Sequence, residues 1–238
     1  RERELSKMLT WLGNIVIGNV ILYDNLPQQI RVEISANLGM MISNLTTLQV
    51  ISELLNGNFE NVFTRLTSLN LNHVESEILV TLAYTCLLFL FVKDIDLLRI
   101  TVERILFLLS TRNYQLFENA HYDTISALFY GIINKDSSSV KKTLSNKQNS
   151  SAFLIRETRI LLDAINLHLE EILSPEEKIF YFEDLSTQAE ILKSAFVSLI
   201  VEFVKKSVIS DPEISSQITD NVARMIKMYK FSNLMMFL

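Results

Sequence analysis

The 238-residue sequence predicts an all-α fold, and three observations carry that prediction. It holds five glycines and three prolines, where average usage of about 7% and 5% would give roughly 17 and 12. Sheets and tight hairpins consume such residues, so their scarcity favours helices joined by short polar turns. Ile78 to Val92 then runs without a charge, proline or glycine. A helix apolar on every side must be enclosed by other helices, and this run falls short of the roughly 17–25 residues of a membrane span. The segments around it repeat apolar residues at helical spacing.

The elements follow in order. Leu5 to Tyr23 places Leu5, Met8, Leu9, Leu12, Ile15, Val16 and Val20 on one stripe. Pro27 opens a helix over Gln28 to Leu45, and a shorter helix from Thr47 to Leu55 stops at Asn56-Gly57-Asn58. Phe59 to Leu69 is helical, and the apolar helix spans about Val74 to Val92. Asp94 is the expected N-cap of Ile95 to Leu109, since its carboxylate can accept from first-turn amides. A helix from about Tyr122 to Ile133 leads into the polar stretch Asn134 to Ser151, which reads as a loop or as a short helix at Ser138 to Leu144. Ala152 to Leu173 reads as one long helix, and Ser174-Pro175-Glu176-Glu177 as a capping box with proline at the first helical position. Thr187 to Val208 reads as one helix, and Asp211-Pro212-Glu213 starts another. The expected organisation is helical repeats over 1–133, a polar insert or loop over 134–151, and repeats of the same stack over 152–238. The start at Arg1-Glu2-Arg3-Glu4 and the apolar end Leu234 to Leu238 read as cuts within a longer protein.

Long apolar helices recur at Ile34–Leu45, Ile78–Leu90, Thr124–Asn134, Leu161–Ile172 and Ala195–Val204. Their starts are spaced by about 44, 46, 37 and 34 residues, which brackets two- or three-helix repeat units of roughly 40–47 residues. The chain thus resembles an armadillo- or HEAT-type α-solenoid, which implies an all-α, armadillo/HEAT-like helical repeat solenoid. Ala36-Asn37-Leu38-Gly39-Met40-Met41-Ile42-Ser43-Asn44-Leu45 is similar to the inner armadillo helix, with Leu12-Gly13-Asn14-Ile15 a fainter echo. Later units carry Cys86 and Tyr130 near the place of the asparagine, so the resemblance does not extend to a full peptide-binding ladder. The asparagine-rich composition and blurred repeats also resemble the C-terminal armadillo region of the ARID-bearing scaffold subunit of fungal SWI/SNF chromatin remodellers.

No reactive constellation emerges. His73, His121 and His168 are far apart, and His168 with Glu171, three residues on, reads as a solvated helix face rather than a metal site. Cys86 sits between Thr85 and Leu87 without a base or cation to form thiolate, so it reads as buried filler and excludes an internal disulfide framework. Gly13 to Gly18 has phosphate-loop glycine spacing but is followed by Asn19-Val20, not Lys and Ser or Thr. Asp94-Ile95-Asp96 is too sparse for an aspartate-rich metal motif, and the sequons at Asn44 and Asn149 read as chance. No catalytic, cofactor-binding or metal residue is therefore assigned, and the chain reads as not an enzyme.

A net charge of −5 argues against a general nucleic-acid binder. A hydrophobic content of 49% and a mean hydropathy of +0.25 suggest an extensive interior together with apolar surface covered by a partner. Candidate partner-binding residues are Asn14 and Asn44, Glu170 and Glu171 within an acidic cluster that includes Glu176, Glu177, Glu183 and Asp184, and Met235 and Met236 with their adaptable side chains. The expected function is a non-catalytic scaffold organising subunits of a multi-protein complex, intracellular and nuclear rather than cytoplasmic, without sequence-specific nucleic-acid or membrane binding. The alternative is a peptide or cargo receptor with a concave helical groove.

Overall fold

A computed structural model describes residues 28–112, 116–147 and 153–238. Asn14, the stripe from Leu5 to Tyr23, the Gly13–Gly18 segment and the sequon at Asn149 lie outside them. The described residues form ten α-helices: α1 Gln28–Asn56, α2 Phe59–Ser68, α3 Ser76–Val92, α4 Asp96–Thr111, α5 Leu116–Asn134, α6 Ser137–Lys147, α7 Phe153–Leu169, α8 Pro175–Leu192, α9 Ala195–Val208 and α10 Pro212–Tyr229. Two 3-10 turns, Leu71–His73 and Ser232–Phe237, complete the set. No strand occurs among the described residues, so the fold is all-α.

The five apolar segments picked out by periodicity become α1, α3, α5, α7 and α9, and these pack consecutively as one row. The helices between them, α2, α4, α6, α8 and α10, lie against that row. Burial follows the division. Ten residues of α3 are buried and eight of α9, against two in α2 and three in α10. Leu82, Cys86 and Phe89 are fully enclosed, as the all-round apolar character of α3 requires. Gly131 lets α5 approach its neighbours, because a Cβ there would stand 3.0 Å from both Val140 Cγ2 of α6 and Ile165 Cγ2 of α7.

Hydrogen bonding explains the boundaries. Asn58 caps α2 by accepting from the Glu60 and Asn61 amides. Ser174 and Glu177 form the expected capping box on α8, and Asp211 caps α10 through the Glu213 and Ile214 amides. The polar stretch carries a helix, α6, in which Val140 is buried. Asp136 accepts from the backbone amides and hydroxyls of Ser138 and Ser139.

Four expected boundaries need correction. The helices proposed on either side of Leu45 are one helix, since Thr46 and Thr47 turn their hydroxyls back to the Ile42 and Ser43 carbonyls and leave the ladder intact. Asp94 is not the cap of α4: Ile95 occupies that position without a side-chain hydrogen bond. The Asp94 carboxylate pairs with Arg99 instead. The long helix expected to reach Leu173 ends at Leu169. The helix expected over Thr187 to Val208 is broken at Lys193, which adopts a left-handed conformation at φ 53°.

The far end of the chain returns to the first described helix. Asn233 Nδ2 donates to the Glu53 and Leu54 carbonyls of α1, each at 2.9 Å. Phe237 packs edge-on against Phe59 of α2 and Phe89 of α3. α9 also touches α3, so the row curls on itself rather than running straight.

Replacing Leu82 with Asp should cost on the order of 4 kcal/mol, because an unpaired charge would enter a sealed site. Urea denaturation checks this, and an unchanged midpoint would contradict the enclosure of α3. Lys193→Gly should stabilise the protein by about 0.5–1 kcal/mol by relieving the left-handed backbone, in part offset by glycine entropy. A loss of stability in that variant would show that the Lys193 side chain makes contacts worth more than the strain.

Candidate functional site

A concave feature lies between α7 and α8. A turn of residues 170–174 joins the two helices, and they run antiparallel. α7 contributes Arg156, Arg159, Ile160, Asp163, Asn166 and Leu167, spaced three and four residues apart on one face. α8 contributes Tyr181, Asp184, Leu185, Gln188, Ile191 and Leu192 with the same spacing in the opposite direction. Two adjoining depressions of about 370 and 320 Å³ share Asp163 and Gln188 at their junction. Together they make one groove.

Its floor is apolar and its polar groups are only partly paired. Ile160, Leu167 and Leu185 are buried beneath it. Arg159 Nε lies 3.6 Å from Asp163 Oδ2. Burial nonetheless raises the Asp163 carboxyl above its usual range, with Arg159 opposing the shift. The Asn166 side-chain oxygen is buried without a hydrogen-bond partner, a costly state. Gln188 Nε2 donates to Asp184 Oδ2 at 2.7 Å. Two lining apolar side chains are exposed, Ile191 at 73% and Tyr181 at 49%, and elsewhere on this hairpin Ile172 is 89% and Phe180 70% exposed.

Charge on α8 is one-sided. Its exposed ionic residues are Glu176, Glu177, Glu183, Asp184 and Glu190. Lys178, the sole basic residue of that helix, is buried, and its Nζ donates to the His168 carbonyl at 3.4 Å.

The sequence-proposed partner residues fall on separate elements. Asn44 Oδ1 accepts from the Glu75 amide at 2.9 Å, so it braces the start of α3. Glu170 pairs with Lys141 of α6 at 3.2 Å, and that hydrogen bond lowers its carboxyl pKa. Glu171 is exposed in the turn after α7. Met235 and Met236 are exposed on the final 3-10 turn, at 39% and 67%. Within the acidic cluster, Glu177 is engaged in the capping box, and Asp184 lines the groove opposite Asp163 and Asn166 of α7. The groove itself escaped sequence reading, although Phe180, Tyr181 and Ile191 exceed the apolar stripe needed to bury α8.

The reactive side chains are held in unreactive settings. Burial pushes the Cys86 thiol up to about 12. Tyr84 Oη lies 3.1 Å from His121 Nδ1, and burial drives the phenol pKa upward, with Glu157 adding to the shift. His168 lies 3.1 Å from Ser207 Oγ. Ser207 gives its single proton to the Val204 carbonyl at 2.6 Å, so the ring donates from Nδ1. Among the described residues no three His, Cys, Asp or Glu side chains converge in a metal-holding group. No helix among them is long and apolar enough to cross a membrane.

The His168 pKa is lowered from 6.5 by burial first, then by Lys178 and Lys135. The unfolded chain therefore takes up a proton near pH 6.5 that the fold resists, and stability is lost as pH falls below that value. An NMR titration should place the His168 midpoint below 6.5. His168→Gln should lose less stability than the parent between about pH 7 and pH 5.5. A midpoint at or above the ordinary value would overturn this placement.

Against protein-family models, curated proteins and solved structures, the chain matches none.

Proposed function

We propose that this chain is a non-catalytic scaffold, an armadillo/HEAT-like stack of helical hairpins that organises the subunits of a multi-protein complex. The observation that carries the reading is the outward apolar surface. Phe107 is 67% exposed on α4, Phe180 and Ile191 are 70% and 73% exposed on α8, and Met236 is 67% exposed on the final turn. Large apolar side chains left this exposed on several elements support a surface that partners cover. Support for the repeat assignment comes from the consecutive packing of the most apolar helices with a second helix beside each. The resemblance of Ala36–Leu45 and of the asparagine-rich composition favours a nuclear assembly of the chromatin-remodelling kind. Acidic charge favours contact with DNA through neighbouring subunits rather than directly.

Tagged protein purified from its native extract should bring down stoichiometric subunits, and the isolated chain should self-associate or need those partners for solubility. Stable complexes of this sort bury more than about 2,000 Å², so the association should survive gel filtration. A well-behaved monomer that recruits no subunit would overturn the scaffold, as would tight binding of duplex DNA at physiological salt.

A further inference from the structure

Residues 231–238 lie against the first three helices in the manner of a bound peptide. We propose that the cleft between α1, α2 and α3 is a receptor for an Asn-Leu-x-x-Phe segment. Asn233, Leu234 and Phe237 fill it in cis as a releasable strap, which a matching segment of another protein molecule can replace.

Recognition runs through side chains. Asn233 is buried, and its amide donates to both the Glu53 and the Leu54 carbonyls of α1, each at 2.9 Å. An aspartate there would lose both donors and set a charge against the negative end of the helix. Leu234 is fully enclosed. Phe237 meets Phe59 and Phe89 edge-on, with ring centroids 5.9 and 6.0 Å apart, an arrangement aromatic pairs favour. Met235 and Met236, between these anchors, are exposed. Three engaged residues and two outward ones within five make a short segment read by its anchors.

The segment is tied lightly to the helix that carries it. α10 closes on itself, for the Lys230 amide donates to the Ile226 and Lys227 carbonyls and the Phe231 amide donates to Ile226. Lys230 then turns the chain at φ 60°, in the left-handed region that strains a residue bearing a Cβ. Beyond it the Leu234 amide donates to Phe231 and the Leu238 amide to Met235. Among the described residues no backbone–backbone hydrogen bond joins 232–238 to another helix. α10 keeps its own hold on the fold through Ile218, Val222 and Ile226, all buried. The strap thus leaves without unravelling a ladder, and segments held in this way are among the first to open. Release bares the edges of Phe59 and Phe89 and frees the Leu54 carbonyl, the surface a replacement must cover. Because the strap is tethered, it competes at an effective concentration of about millimolar, and a free segment gains access once the strap is weakened. The device stands whether or not the chain gathers subunits, so its failure would leave the scaffold reading in place.

The test uses the full chain and a fluorescein-labelled peptide of residues 230–238 with lysines added for solubility. Fluorescence anisotropy should show saturable binding to the Leu234→Ala, Phe237→Ala double variant. That binding should be at least about tenfold tighter than to the parent, whose strap competes. Peptides carrying Asn233→Asp or Phe237→Ala should bind the double variant at least about tenfold more weakly. Alanine at Met235 and Met236 of the peptide should leave affinity unaltered. To separate release from unfolding, a protease site is placed between Lys230 and Phe231 of the full chain. After cutting, the helical circular dichroism should persist, and the cut chain should bind the peptide as the double variant does. Loss of the helical signal on cutting would make the segment part of the core and overturn the proposal. So would absence of binding by both opened forms, equally tight binding by the parent, or indifference to Asn233→Asp.

Discussion

Enclosing α3 is the constraint from which most of the architecture follows. Its ten buried residues leave almost no polar face to turn toward water. Each fully buried Leu or Phe contributes roughly 1.5–3 kcal/mol relative to exposure, but only if helices cover the segment on every side. α1, α4, α5 and α9 supply that cover. The requirement explains why the row curls. A straight stack would bring only sequence neighbours to α3, whereas curling brings α9 against it from more than a hundred residues away. Asn233 then fixes the closure chemically by donating to the Leu54 carbonyl in the last turn of α1 and to the Glu53 carbonyl, which also accepts from the Gly57 amide.

Enclosure also accounts for the inertness of the side chains with chemical potential. Cys86, Tyr84 and His168 lie within or beside the inner row, and in each case burial is the foremost cause of the pKa shift. The shifts share one logic: the neutral form of each group is favoured. Such groups satisfy the interior without offering a nucleophile or a cation site to solvent. The outer helices are less enclosed, with two buried residues in α2 and three in α10.

The inner row was legible because hydrophobicity is a direct record of solvent exclusion. The segments beginning at Ile34, Ile78, Thr124, Leu161 and Ala195 were identified by apolar content alone, and they are the helices that stack consecutively. Helix ends were less legible. Sequence reading relies on glycine to mark a stop, yet Lys135, Lys193 and Lys230 all adopt positive φ. A lysine in that conformation gives no compositional signal, so the break between α8 and α9 was invisible. The failed cap at Asp94 has a similar cause: a carboxylate can cap a helix or pair with a nearby arginine, and Arg99 five residues on decides between them. Thr46 and Thr47 misled in the opposite sense, because their hydroxyls bond within the helix they were expected to interrupt.

The groove was the least legible feature because it belongs to two helices at once. Neither α7 nor α8 announces it alone: Arg159 and Asp163 read as an ordinary surface pair, and Tyr181 and Ile191 as excess apolar content. Only the antiparallel pairing brings Asp163 opposite Gln188 and sets Asn166 near Tyr181 and Asp184. The acidic cluster could be read from sequence, but its meaning depends on what is already engaged. Once Glu177 is committed to the capping box and Glu170 to Lys141, Asp184 is the acidic residue that α8 sets into the groove, where α7 adds Arg156, Arg159 and Asp163. Apolar side chains and charges of both signs thus meet along one groove, a mixture that neither helix shows until the two are paired.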